Sequence, residues 1–169
     1  MRIFGLAGWS GSGKTTLLTA LIPELRARGL TVSTIKHAHH DFDIDRPGKD
    51  SWRHREAGAT EVMVSSSRRW ALMHELRDAP EPALDALVAQ MSPVDLLLIE
   101  GFKAHPHPKL EVHRPSVGMK LLYPNDPDIV AIASDEAIPA PLPLLPLNDV
   151  AGIAGFILDP FGVVGSWRS

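Results

Sequence analysis

The chain carries Gly8-Trp9-Ser10-Gly11-Ser12-Gly13-Lys14-Thr15-Thr16 near its start, and this stretch fits G-x-x-x-x-G-K-[ST], the phosphate-binding loop pattern. Glycines let the backbone curl so that successive N–H groups point at one anion. Lys14 adds a charge for the β- and γ-phosphates, and the Thr15 hydroxyl adds an oxygen for Mg²⁺. We therefore expect a bound nucleoside triphosphate, held by Gly8, Ser10, Gly11, Ser12, Gly13, Lys14, Thr15 and Thr16.

The residues on both sides of the loop support this interpretation. Residues 2–7 form a short apolar run typical of a strand. Leucines and an isoleucine recur at helical spacing after the loop, so a helix is expected there, with its unpaired N–H groups and positive dipole end at the phosphates. The alternative is a glycine-rich turn without a ligand.

A second strong signal is the apolar run that ends at Glu100. Four consecutive apolar residues lie between Asp95 and Glu100, and Pro93 and Gly101 bound the segment. Such a run indicates a central parallel strand that is buried on both faces. A carboxylate at the end of that strand typically holds Mg²⁺, directly or through water. We expect Thr15 and Glu100 to share the metal; a Glu100 that only meets solvent is the alternative.

The remaining segments predict an α/β fold like that of P-loop NTPases, with a mostly parallel central sheet flanked by helices. Residues 31–36 and 129–133 are further strands. Residues 60–65 and 70–74 are separated by too few residues for a helical crossover, so they predict an antiparallel hairpin at an edge of the sheet. Residues 1–158 are expected to form one nucleotide-binding domain.

The C-terminal part of the chain is rich in proline. Prolines at 139, 141, 143 and 146 exclude a helix and leave an extended edge segment. Asn148 or Asp149 is predicted to cap a last helix that ends near residue 157. Residues 159–169 are expected to form a loose tail.

The segment from residue 36 to residue 50 is polar and rich in histidine and aspartate. His37, His39 and His40 suggest zinc, but the chain has no cysteine and no distant ligand pair. A switch-type loop that adds an aspartate to the Mg²⁺ shell fits better, with Asp50 and Asp45 as the candidates. Asp50 could instead cap the helix that follows it.

Local basic groups and one aspartate complete the candidate site. Arg68, Lys103 and Arg114 are candidates for contacts with phosphate or with a partner, and solvated surface charge is the alternative for each. Asp135 follows a buried-type strand, where a carboxylate would favour guanine over adenine by matching the donors of guanine. We therefore include Asp135 among the nucleotide-binding residues.

Composition excludes several classes of function. The net charge of −3 gives no general attraction to nucleic acid or to anionic membranes. The chain contains no cysteine, which excludes disulfides and thiolate sites. No apolar run reaches the roughly 18 residues of a membrane helix. We expect a cytoplasmic protein with neither a nucleic-acid nor a membrane partner.

Three segments together resemble the MobB family, the adaptor proteins of molybdopterin-guanine dinucleotide biosynthesis. They are G-W-S-G-S-G-K-T-T-L, then K-H-A-H-H-D-F-D-I-D-R-P-G-K-D-S-W-R-H-R-E-A-G-A, then L-L-L-I-E-G-F-K with K-L-E-V-H-R. The middle segment is specific, because a generic phosphate-loop protein has no reason to carry it. The resemblance extends to about Arg114 and more loosely to the last helix.

The resemblance implies a homodimer that binds GTP and Mg²⁺ and is at most a slow GTPase, so we assign no catalytic residue. It implies assistance to a MobA-like molybdopterin guanylyltransferase, and molybdopterin or a molybdoenzyme is a further candidate partner. The hairpin near Arg68 would help to form the dimer. A more distant analogy with dethiobiotin synthetases favours Asp50 over Asp45 in the metal shell.

Two other functions remain open on the sequence. One is an ATP-dependent small-molecule kinase or a dethiobiotin-synthetase-like ligase, which would need a second pocket and a closing lid. The other is a metal-trafficking protein that uses the histidine segment.

Overall fold

The computed structural model describes residues 1–38 and 42–159. Among these residues, 1–37 and 91–159 form one compact unit, and 38 and 42–90 belong to a second, the Ala38–Gln90 unit. The helices and strands in chain order are β1 Arg2–Ala7, α1 Lys14–Ala27, β2 Val32–Lys36, α2 Asp50–Glu56, β3 Glu61–Ser65, β4 Trp70–His74, α3 Leu84–Val88, β5 Leu96–Glu100, β6 Lys109–His113, β7 Ile129–Ser134, β8 Leu144–Pro146 and α4 Val150–Leu158. The prediction of a loose tail falls almost entirely on residues 160–169, outside the described residues.

The first unit contains a six-stranded sheet in the order β2-β5-β1-β6-β7-β8, and all of its pairings are parallel. Every residue of β5 is buried, as the apolar run predicts for a central strand. The register pairs Glu100 with Leu6 of β1 and with Lys36 of β2. The carboxyl ends of these three strands therefore meet at one edge of the sheet, next to the phosphate-binding loop.

One face of this sheet is covered by α1 and α4. The core includes Leu21 and Leu25 from α1, Ile153 and Ile157 from α4, and Phe4 from the sheet. Helix α1 continues through Pro23. The Asp149 side chain accepts a hydrogen bond from the backbone N–H of Gly152 at 2.9 Å, which confirms the predicted cap of α4.

The second unit contains α2, β3, β4 and α3. The antiparallel hairpin is confirmed, with Glu61 opposite His74 and Ser65 opposite Trp70. Its predicted place at an edge of the main sheet is wrong, because β3 and β4 form a separate two-stranded sheet. The two strands pair with each other without a third strand, and Val62 of the hairpin is buried.

Ionic contacts around Arg55 hold the second unit together. The Arg55 guanidinium lies 2.9 Å from Asp43, 3.4 Å from Asp45 and 3.1 Å from Glu75. Asp50 is the first residue of α2, and Lys49 is the N-cap residue without a side-chain cap. The interpretation of Asp50 as the N-cap is therefore wrong by one position. Its carboxylate still lies in the first turn, where it interacts favourably with the positive end of the helix dipole.

The face of β6 that carries Lys109 and Glu111 is polar and buried, a feature that the sequence did not predict. Lys109 is almost fully buried and lies 3.0 Å from Asp126 and 3.6 Å from Asp128. The Glu111 carboxylate accepts backbone N–H bonds from Leu122 (2.7 Å) and Tyr123 (3.0 Å). These bonds fix the segment that follows β6 to the sheet. The alternation of lysine and glutamate with leucine and valine in residues 109–112 was the sequence signal for this polar face.

His107 should make the stability of the fold depend on pH. His107 is only 2% exposed. Its ring packs directly against Gly5: a Cβ added to Gly5 would lie 2.4 Å from Nε2 of His107. Burial, with Lys109 and His105 adding to it, lowers the pKa of His107 from 6.5 to about 4. Between pH 6.5 and about pH 4, His107 is mostly protonated in the unfolded chain and mostly neutral in the folded chain. This contribution to stability is complete above pH 6.5 and is lost as the pH falls toward about 4.

We predict that the urea midpoint falls between about pH 7.5 and about pH 5, and that His107→Gln reduces this fall. The exposed His54 provides a matched control, because His54→Gln should leave the fall unchanged. An equal loss of stability on acidification in the original protein and in His107→Gln would contradict this assignment.

Candidate functional site

The phosphate-binding loop connects β1 to α1 in the first unit. Gly8 has a φ of +148°, and an added Cβ would lie 2.5 Å from the carbonyl oxygen of Val112, so only glycine fits there. Gly13 is the N-cap of α1 and provides no side-chain cap. The first backbone N–H groups of α1 are therefore open to an anion in the loop.

The Lys14 ammonium lies inside this loop and donates to the carbonyl oxygens of Gly8 at 3.0 Å and Trp9 at 2.8 Å. Burial lowers the pKa of Lys14; the Glu100 carboxylate opposes this shift, and Lys103 and Lys36 add to it. The charges that act on Lys14 are thus two further ammonium groups and one carboxylate. This arrangement favours binding of a multiply charged anion.

Thr15 and Glu100, the two residues that the sequence predicts to share a metal, are in direct contact. The Thr15 hydroxyl donates to Oε1 of Glu100 at 2.8 Å, and Lys36 Nζ lies 3.9 Å from the same oxygen. Glu100 is 6% exposed. A hydroxyl and a carboxylate are hard oxygen ligands that suit Mg²⁺, which usually takes few protein ligands and completes its shell with phosphate and water.

Asp45 and Asp50 both belong to the Ala38–Gln90 unit. Asp45 accepts from the Ser51 hydroxyl at 2.8 Å and contacts Arg55, whereas Asp50 is exposed. These contacts give Asp45 a structural role within its own unit. A place in the metal shell stays a prediction for both residues.

The histidine segment is only partly described. His37 stacks on Phe102, with 4.6 Å between the ring centroids. His39, His40 and Asp41 lie outside the described residues, so the zinc hypothesis stays untested. Within residues 1–38 and 42–159, no group of three histidine, cysteine or acidic residues is placed to hold a metal ion.

Arg114 contacts the phosphate-binding loop directly. Its Nε donates to the carbonyl oxygen of Ser12 at 3.2 Å, and its Nη1 donates to Asp135 at 2.8 Å. The sequence proposed Arg114 and Asp135 as separate contacts; the structure joins them as an ion pair. Whether Asp135 also reads a base stays a prediction.

The other predicted basic residues lie in different places. Lys103 Nζ lies 4.6 Å from the ring centroid of Trp9, whose indole N–H donates to the carbonyl oxygen of Lys120 at 2.7 Å. Trp9 therefore fixes the loop to the segment after β6, a role that the loop pattern does not reveal. Arg68 is exposed at the tip of the hairpin, in the second unit.

Comparison with known proteins identifies the family of the chain. The family model for MobB, "Molybdopterin guanine dinucleotide synthesis protein B", matches residues 3–135. This chain belongs to the MobB family. The match contains the phosphate-binding loop, Glu100, Arg114 and Asp135, and it confirms the resemblance seen in the sequence.

Individual proteins that are similar to this MobB-family chain support the same assignment. A protein of Escherichia coli (strain K12) named molybdopterin-guanine dinucleotide biosynthesis adapter protein is 44% identical over 162 residues, covering 93% of this chain and 91% of that protein. A Haemophilus influenzae protein of the same name is 45% identical over 158 residues, covering 92% and 86%. A crystal structure of molybdopterin-guanine biosynthesis protein B matches with a TM-score of 0.72 at 29% identity, covering 92% of this chain and 97% of that one.

None of the helices in the described residues is long and apolar enough to cross a membrane.

Proposed function

We propose that this protein is a Mg²⁺-dependent, GTP-binding adapter that assists the attachment of GMP to molybdopterin. Membership of the MobB family supports a role in molybdopterin-guanine dinucleotide biosynthesis. The observation that carries the nucleotide part is the contact between Thr15 and Glu100 beside the Lys14 ammonium. A cytoplasmic location is part of the same proposal.

The loop residues have distinct roles in this proposal. The backbone N–H groups from Gly11 to Thr16 bind phosphate oxygens, and Lys14 leaves the carbonyl oxygens of Gly8 and Trp9 to contact the phosphates. Thr15 and Glu100 hold Mg²⁺, and Asp50 is the further candidate ligand. When bound, Mg²⁺ would neutralise charge on the phosphate oxygens.

Hydrolysis is slow at most in this proposal, and no residue is assigned as a catalytic base. An adapter needs only a distinct nucleotide-bound state that its partner can recognise. Lys103 and Arg114 both contact the loop and are the residues that would respond to the bound phosphates.

The hairpin is the proposed dimer contact. Met63 and Leu72 lie opposite each other on one of its faces, and Trp70 on that face is 67% exposed. Exposed apolar side chains in such a cluster are typical of an interaction surface. The other proposed partner is a MobA-like guanylyltransferase.

The adapter role is tested by measuring transfer of GMP to molybdopterin by a purified guanylyltransferase. Every reaction contains Mg²⁺-GTP as the source of GMP, and we expect that adding this protein increases the yield of the dinucleotide. Lys14→Ala should remove the increase. If the yield with the original protein equals the yield without it, the adapter role is contradicted. Transfer of phosphate from the nucleotide to a small acceptor would instead favour a kinase.

A further inference from the structure

A cavity of about 200 Å³ opens beside the phosphate-binding loop, within the first unit. It is smaller than the roughly 300–1,000 Å³ of pockets that enclose a whole drug-sized ligand, so it suits one ring system of a larger ligand. Residues of the loop, of α1 and of the segments after β6 and β8 line it: Gly13, Thr16, Ala20, Arg114, Leu147 and Asn148.

The chemistry of the walls suits a purine. Ala20 and the buried Leu147 offer apolar surface to a flat ring, and the Asn148 amide offers both a donor and an acceptor. Because Gly13 and Thr16 belong to both the loop and the cavity, a ligand whose phosphates fill the loop can extend directly into the cavity.

Arg114 lines the cavity and offers donors that match one purine better than the other. Its Nε donates a hydrogen bond to the carbonyl oxygen of Ser12, and its Nη1 donates one to Asp135. These two bonds fix the guanidinium plane, and Nη2 takes part in neither of them. Guanine presents two acceptors, O6 and N7, on one edge, which match guanidinium donors. Adenine presents the N6 amino group there, and this donor would face another donor.

Asp135 is less well placed to read the base. Its carboxylate is paired with Arg114 at 2.8 Å, and it lines a different cavity, together with Leu144 and Pro146. We infer that the cavity between α1 and Asn148 is the nucleobase subsite, that Arg114 reads O6 and N7 of guanine, and that Asp135 is a positioning residue for Arg114. This inference rests on the proposed function and assigns its base specificity.

The subsite is tested by filling the cavity. Ala20→Leu should weaken Mg²⁺-GTP binding by about tenfold or more, while binding of inorganic tripolyphosphate should change by less than about twofold. Thr19→Leu is the matched control, because Thr19 is exposed on the same helix and does not line the cavity. Unchanged GTP affinity in Ala20→Leu would overturn the inference.

Nucleotide analogues test which edge is read. Inosine triphosphate keeps O6 and N7 but lacks the 2-amino group, so it should bind within about threefold of GTP. 7-Deaza-GTP lacks N7 and should bind more weakly, and Arg114→Lys and Asp135→Ala should both reduce the preference for GTP over ATP. A loss of tenfold or more for inosine triphosphate (about the value of one hydrogen bond) would instead assign the reading to a carboxylate and overturn the role of Arg114.

The same titrations separate this inference from the proposed function. Equal affinity of the original protein for tripolyphosphate and GTP would exclude a base subsite while leaving triphosphate binding in place. Binding of neither ligand would overturn both.

Discussion

Replacing Lys14 with alanine is expected to weaken Mg²⁺-GTP binding by about a hundredfold or more. Hydrogen bonds to charged groups contribute about 1.5–3 kcal/mol each, and the Lys14 ammonium has donors for more than one phosphate oxygen. In the structure these donors bind the carbonyl oxygens of Gly8 and Trp9, which shows that the ammonium lies within the loop. Isothermal titration of the two proteins with GTP in the presence of Mg²⁺ measures the effect.

Arg26→Ala is the matched control for this substitution. Arg26 is exposed in the last turn of the same helix, so its removal also takes away one positive charge but leaves the loop intact. GTP affinity should be nearly unchanged in Arg26→Ala. Thermal unfolding of Lys14→Ala should show a folded protein, and retention of full GTP affinity in that folded variant would refute the role of Lys14.

Replacing Glu100 with glutamine should abolish the dependence of GTP binding on Mg²⁺. The glutamine side chain keeps an oxygen that can accept the Thr15 hydroxyl bond, so the local packing is preserved while the metal loses its charged ligand. In Glu100→Gln, GTP affinity with Mg²⁺ should fall to the value measured with a chelator. Titrations in both conditions give this difference.

Glu136→Gln removes a carboxylate from an exposed position after β7 and is the control for charge alone. The original protein and Glu136→Gln should lose GTP affinity to the same extent when Mg²⁺ is removed. If Glu100→Gln still gains affinity from Mg²⁺ to that extent, then Glu100 does not hold the metal.

The elements nearest the loop could be predicted from the sequence because their signals are local. β1 has the predicted bounds, and the apolar run before Glu100 forms the buried central strand. The sequence also predicted that Thr15 and Glu100, 85 residues apart, share a metal ion; the structure places their side chains in hydrogen-bond contact, and the shared metal stays a prediction. A known chemistry required a hydroxyl and a carboxylate to meet at one metal, and parallel strands bring their carboxyl ends to one edge.

Contacts without such a chemical requirement could not be predicted. The bond from Arg114 to Ser12 joins residues 102 positions apart, and the bond from Trp9 to Lys120 joins residues 111 positions apart. No sequence pattern indicates either hydrogen bond, because each depends on how the segment after β6 passes the loop. The separate hairpin sheet was missed because strand pairing within a hairpin does not specify which larger sheet, if any, it joins.

The buried polar side of β6 was missed for a different reason. Lys109 and Glu111 have residue types that usually lie at the surface, and their burial is favourable because Lys109 is paired with Asp126 and Asp128 and Glu111 accepts two backbone hydrogen bonds. Those partners come from a segment without regular strands or α-helices. The alternation in β6 shows two different faces, but it does not show that both are covered.

Binding of Mg²⁺-GTP by the phosphate-binding loop is the central claim about this MobB-family chain, and titration of the nucleotide-free protein with GTP and with ATP, each with and without Mg²⁺, tests it most directly. We predict that GTP binds more tightly than ATP and that Mg²⁺ strengthens the binding. Tighter binding of ATP, or the absence of any nucleotide binding, would contradict the claim.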